Sequence, residues 1–232
     1  MRVSELSFHI LVAATTVAVG IAMYMIFFVA PVEVTMGIVQ KIFYLHVPAA
    51  MTMYAGLLTT SAASLFYLLR PRNGWDILAV TGVEVGLLFG VYVLVSGPLW
   101  AYKAWGKAWD WDPQLTATMI LFMMYGGYWL LRVFSGPSAR VRKIAAVLAV
   151  LAAVCIPFVH FAVRIWGGIH PTVEREGGEG LASEIAATFG VSMLAVFLLF
   201  VCLMWLGVRV RLRQERVDQL YLEVEDVLRS RA

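Results

Sequence analysis

Charge is scarce in this sequence. Only 14% of its 232 residues are Asp, Glu, Lys or Arg, whereas 61% are hydrophobic, and the mean hydropathy is +0.81. A water-soluble domain carries about a quarter charged residues, so this balance excludes a soluble globular fold and indicates an integral membrane protein. Cysteine is nearly absent. Cys155 and Cys202 lie inside apolar runs with no CxxC spacing, which argues against a disulfide or metal site and for small buried hydrophobes. The sequence shows no nucleophile–base pair, phosphate-binding glycine loop, structural zinc spacing or internal repeat, and it reads as a non-enzyme. The net charge of +3 bears on orientation in a membrane rather than on nucleic acid, which is not an expected partner.

Long apolar runs are what the chain does have. Six reach spanning length, at about 8–30, 46–69, 77–99, 114–134, 144–163 and 185–208. A hydrocarbon core about 30 Å thick takes about 20 helical residues, and these runs lack strand alternation. Only helices or closed barrels satisfy their backbone in lipid, so the expected fold class is an all-α polytopic membrane protein with six transmembrane helices. The first run is too long for a signal peptide core and has no small-x-small cleavage site, so it reads as a retained span. Residues 1–208 form the expected transmembrane domain. Residues 209–232 form a tail with Val217, Leu220, Val224, Val227 and Leu228 at helical spacing, expected to be amphipathic and cytoplasmic.

Orientation follows from the distribution of basic residues. Placing the N-terminus, the 70–76 and 135–143 turns and the tail on one side, with Arg132 at the adjoining end of its run, collects 13 of the 18 Lys and Arg. The positive-inside rule then makes both termini cytoplasmic. The longer connections, 31–45, 100–113 and 164–184, face outward, which in a bacterial inner membrane means the periplasm.

The middle connection contains WGKAWDWD, Trp105 to Asp112, with Trp100 just before it: four tryptophans within twelve residues. Two readings stand side by side. Tryptophan suits the headgroup region, and Asp112-Pro113 is a helix start with Asp as N-cap and Pro at the first helical position. Alternatively the rings form a platform for a flat ligand, with Trp105, Trp109 and Asp112 on one face if this segment is helical.

Two of the four histidines support the platform. His46, in KIFYLHVPAA, lies where the first outer connection enters the second span, and His170, in VRIWGGIHPT, lies in the third. His160 and His9 read as hydrogen-bonded interfacial residues. Two histidines from separate outer segments, flanking aromatics, suggest a planar macrocycle whose metal is held from both sides. Haem needs two axial imidazoles, apolar walls and cations for its propionates, and Lys41 is placed to serve one of them.

WGKAWDWDPQLT resembles the tryptophan-rich WGxxWxWDxRLT signature of haem-handling membrane proteins. With KIFYLHVPAA before the second span and IHPT in the last outer connection, the chain is similar over nearly its whole length to the CcmC family of cytochrome c maturation. The longer CcmF and CcsA relatives fit less well. The resemblance implies that His46 and His170 are axial ligands of a non-covalently held haem b. It implies that Trp105, Trp109, Trp111 and Asp112 contact the haem. Trp166 and Arg164, near His170, read equally as further candidates for the pocket and as plain interfacial anchors. It also implies presentation of haem at the outer face to the chaperone CcmE, together with the ATP-binding-cassette proteins CcmA and CcmB and the small helper CcmD. Two departures stand out: the signature Arg is Gln114 and a frequent second Trp is Ala108, with Lys103 or Lys107 as substitute point charges.

Glu84 sits inside the third span with no basic partner within helical reach. It reads as a protonated or interface-hydrated structural carboxylate. The glycine-rich acidic stretch EREGGEGLASE, 174–184, is expected to be a mobile outer connection and a docking surface for CcmE. The alternatives are a haem-export permease subunit, which needs a polar route through the spans, and a b-type electron-transfer cytochrome, whose ligands would lie within the spans.

Overall fold

The computed structural model describes residues 2–136, 138–170 and 183–231. Nearly all of the acidic stretch, with Pro171 and Thr172 of the last motif, lies outside the described residues. Among the described residues the chain is helical without strands. The helices are α1 (Arg2–Tyr24), α2 (Phe43–Leu69), α3 (Asn73–Trp105), α4 (Pro113–Phe134), α5 (Ala139–Ala153), α6 (Cys155–Trp166) and α7 (Ser183–Arg231). Six helical stretches are long and apolar enough to cross a membrane, with α5 and α6 together forming one of them. The polytopic all-α reading therefore holds.

The α5–α6 break has a local cause. Pro157 has no N–H to give the carbonyl of Ala153, and its ring crowds that carbonyl, so the helix is interrupted at Val154. At the end of α1 the chain widens into a π-helical turn, Met25–Val29, where the Ala30 amide donates to the Met25 carbonyl at 2.7 Å.

The core is built on the α2–α3 hairpin, the most extensive helix pair in the bundle. Glycines let the two backbones touch: a Cβ on Gly56 would fall 2.7 Å from Gly86 Cα and 2.9 Å from the Gly82 carbonyl. Around this seam Met53, Leu57, Val83, Leu121 and Tyr125 are fully buried. Tyr125 and Ser61 share a hydrogen bond of 2.6 Å, and Ser61 reaches the Ala149 carbonyl at 2.9 Å, tying α2, α4 and α5.

Ion pairs gather at the end of the bundle that holds the N-terminus. Arg132 of α4 grips Asp76 of α3 with both guanidinium arms, at 2.6 and 2.8 Å, and Arg142 Nε stands 3.5 Å from the same carboxylate. Glu5 of α1 accepts from Arg209 and Arg213 of α7. Glu84 is not the partnerless carboxylate that its sequence neighbourhood suggests. It accepts from Arg211 of α7, 127 residues away. The basic segment 209–213 thus belongs to the bundle, and α7 continues without a break to Arg231. At about 1.5 Å per residue its 49 residues exceed any bilayer core, so the helix projects well past the span. The apolar stripe Val217, Leu220, Val224, Val227 and Leu228 is exposed along that projection.

Candidate functional site

The opposite end of the bundle collects the ends of α3 and α6, the start of α4 and the entry to α2. A short 3-10 turn, Ile38–Ile42, leads into α2, and Pro48 lies inside that helix four residues after Tyr44. Pro98 lies likewise inside α3. Each proline removes one intrahelical hydrogen bond, so both helices are loosened beside the site.

His46, in the first turn of α2, meets Ser96 of α3, with Nδ1 and Oγ 2.8 Å apart. The Ser96 hydroxyl donates to the Tyr92 carbonyl at 2.7 Å. Its one proton is thereby committed, so His46 Nδ1 must be the donor in the pair. That fixes the tautomer: Nε2 carries the lone pair and is the nitrogen available to a metal. Gly97 makes room for the ring, since a Cβ there would lie 3.2 Å from His46 Cε1. Nothing in the sequence around His46 announced these partners. The SGP interruption near the end of an apolar run was the one available signal.

His170 is half-buried at the end of an otherwise exposed turn after α6, close enough to His46 for the charge of one ring to act on the other. Lys41 is buried in the 3-10 turn, its Nζ donating to the Phe27 carbonyl at 3.1 Å. Among the described residues no carboxylate lies within ion-pair distance of it. An ammonium desolvated this far without a counter-charge leaves positive potential to spare beside the site.

The tryptophans are arranged differently from a helical face. α3 continues to Trp105 and stops at Gly106, whose φ of 72° provides the left-handed cap. Trp109 and Trp111 therefore lie in a non-helical connection, and the i, i+4, i+7 placement of Trp105, Trp109 and Asp112 does not occur. The rings form two edge-to-face pairs: Trp100 with Trp105 at 5.3 Å and 90°, and Trp109 with Trp111 at 5.9 Å and 84°. In each pair only one ring can lie flat on a given planar group. Trp111 is 71% exposed and offers an open face. Trp100 Nε1 donates to Gln40 at 3.0 Å, tying this cluster to the turn that carries Lys41.

Asp112 is buried and caps α4 as its sequence suggests, accepting from Gln114 N at 2.9 Å and Leu115 N at 3.3 Å, with Pro113 at the first helical position. Its second oxygen accepts from Ile169 N at 2.8 Å. Trp166 is exposed and stacks on Phe158 at 6.3 Å, along α6. Arg164 lies over Phe161. Lys107 is exposed and lies 3.4 Å from Asp110 within its own connection. His9 donates to the Glu5 carbonyl at 2.7 Å, and His160 is exposed with its ring edge-on to Phe161.

The family model described as "CcmC: Heme exporter protein C" matches residues 1–223. The chain is 34% identical over 215 residues to Heme exporter protein C of Bradyrhizobium diazoefficiens, covering 91% of this chain and 81% of the relative. It is 30% identical over 197 residues to Heme exporter protein C of Paracoccus denitrificans, covering 83% and 81%. It is also 28% identical over 204 residues to a putative cytochrome c biosynthesis ccmC-like mitochondrial protein of Arabidopsis thaliana, covering 85% and 75%.

Proposed function

The chain belongs to the CcmC family of heme exporter proteins, and from that premise we propose that it serves cytochrome c maturation by binding haem where His46, the tryptophan segment and His170 converge, and presenting it to the chaperone CcmE. The observation that carries this reading is the His46–Ser96 pair. Among the described residues it leaves one imidazole nitrogen available, with a second histidine electrostatically within reach and, nearby, a buried cation that meets no carboxylate. That donor set suits haem b, held without a covalent bond: two imidazoles for the iron, exposed aromatic faces for the ring, and an ammonium for a propionate.

Haem is the cargo in this reading, and the chain's own groups do the holding. His46 and His170 are the ligands from opposite sides. Trp111 and one ring of the Trp100–Trp105 pair contact the macrocycle, Trp109 supports Trp111 edge-on, and Lys41 attracts a propionate. Trp166, four residues before His170 in sequence, contributes an outer wall. No step here makes or breaks a covalent bond by a protein side chain, consistent with a presenting module rather than an enzyme. The site faces the periplasm of a bacterial inner membrane, in association with CcmA, CcmB and CcmD. The intramembrane Glu84 is engaged by Arg211, which favours presentation at one face over a permease route lined by free carboxylates.

The test is the optical and resonance Raman spectrum of the detergent-purified protein beside His46→Ala and His170→Ala. A six-coordinate low-spin haem that either change loses or converts to high spin supports the ligand pair. Unaltered spectra in both variants would overturn it.

A further inference from the structure

The family resemblance implies haem contact for Asp112, and its surroundings point to a further role. The carboxylate is 6% exposed and both oxygens are occupied by backbone amides. Oδ1 accepts from Gln114 N and Leu115 N, closing the first turn of α4. Oδ2 accepts from Ile169 N, 57 residues further along, in the turn after α6. The fit there is close. A Cβ on Gly168 would fall 2.1 Å from Asp112 Oδ2, and Gly168 has a φ of 151°, so this turn accepts only glycine beside the carboxylate. His170 is the next residue after the amide that is gripped.

We infer that Asp112 is a positioning residue, and that its buried carboxylate latches the His170-bearing turn to the head of α4. One oxygen holds the first turn of α4, directly after the connection that carries Trp109 and Trp111; the other holds the turn that leads into His170. The position of the His170-bearing turn relative to the head of α4 is thus set inside the protein, before any ligand arrives. A charge-assisted bond from a buried carboxylate to a backbone amide is a strong form of such a tie, and pre-set geometry is what lets a site bind without ordering its own loops. Assigning His170 as a ligand rests on the function proposed above; the latch itself does not.

Two variants separate the latch from the cap. Asp112→Asn retains a good N-cap but replaces one acceptor oxygen with an NH₂ group, which cannot accept from Ile169 N. Gly168→Ala leaves Asp112 intact and blocks the approach. In haem-free full-length protein in nanodiscs, amide exchange at Ile169 is expected to accelerate at least tenfold in both variants. Exchange at Gln114 and Leu115 should stay near wild type in Asp112→Asn. Unchanged protection of Ile169 in Asp112→Asn would overturn the latch, as would equal loss at Ile169, Gln114 and Leu115, which marks a cap alone. With haem bound, both variants should lose low-spin character as His170→Ala does, and millimolar imidazole should restore it in all three. A haem spectrum insensitive to His170→Ala would sink the ligand assignment and leave the exchange result to judge the latch.

Discussion

Ser96 gives its only proton to the Tyr92 carbonyl and so receives one from His46, which makes the hydroxyl a fixed acceptor, not a rotor. This single relationship between α2 and α3 determines which nitrogen of His46 faces outward. Partners of this kind orient a ligating histidine and raise its basicity, and their loss typically costs about 10–100-fold in metal affinity.

Ser96→Ala is therefore expected to weaken haem binding by about that factor while leaving the fold intact. Ser96→Thr, which keeps a hydroxyl able to bond back to the Tyr92 carbonyl, should restore binding. Haem titration of the apo-protein, with the iron–histidine stretch read by resonance Raman, checks both. Equal loss in Ala and Thr variants would show that space at position 96, not the hydroxyl, matters.

Lys41 makes the opposite kind of prediction, because the apo-protein holds its ammonium at a cost. It is 7% exposed, and among the described residues its ammonium meets the Phe27 carbonyl and ring but no carboxylate. Lys41→Met keeps the length and removes the buried charge, so thermal stability should hold or rise. Haem dissociation should nevertheless accelerate about tenfold, the equivalent of about 1.4 kcal/mol, since a propionate loses its counter-charge. Transfer of haem to apomyoglobin measures the rate, and differential scanning fluorimetry measures the stability. A drop in stability together with unchanged dissociation would assign Lys41 a purely structural role.

The α2–α3 seam also couples packing to the site. A methyl group on Gly56 would meet backbone atoms of Gly86 and Gly82, which cannot swing away, whereas one on Gly20 meets nothing within 4 Å. Gly56→Ala should cost about 1–3 kcal/mol through overpacking, and Gly20→Ala should be neutral or slightly stabilising. Because His46 and Ser96 ride on the two helices being separated, Gly56→Ala should also shift the haem spectrum. Chemical denaturation and optical spectra of both variants check this.

Much of the fold was legible because bilayer thickness dictates span length, and six apolar runs became six spans. The Asp112-Pro113 start of α4 was legible as well, since capping is a local transaction between adjacent residues. Local chemistry also explains what was missed nearby. Pro157 marks the α5–α6 break and Gly106 marks the end of α3, yet apolar continuity masked the first and loop composition the second. Long-range pairings were another matter. Glu84 finds Arg211, His46 finds Ser96 and Asp112 finds Ile169 across separations of 127, 50 and 57 residues. Hydropathy periodicity indicates which face of a helix is apolar, but not which neighbour it turns toward. The candidate site residues could therefore be picked out by residue type and motif, while the relationships that orient them came only with the packing.

Asp76 and Arg132 supply the last prediction. Their side chains are 9% and 11% exposed, and the guanidinium meets the carboxylate with two parallel bonds of 2.6 and 2.8 Å. Two charges removed this far from water are favourable only together. Arg132→Met leaves Asp76 with Arg142 alone, at 3.5 Å, and should cost about 3–5 kcal/mol, the usual penalty for stranding a buried charge. The double variant Asp76→Leu/Arg132→Met should recover most of that loss, because it removes both desolvation costs at once. A double-mutant cycle on unfolding in detergent measures the difference. Haem spectra should be indifferent throughout, since the pair sits at the end of the bundle away from His46. If the double variant were no better than Arg132→Met, the remaining cation at Arg142 would be the dominant liability, and adding Arg142→Gln to the double variant should then return the lost stability.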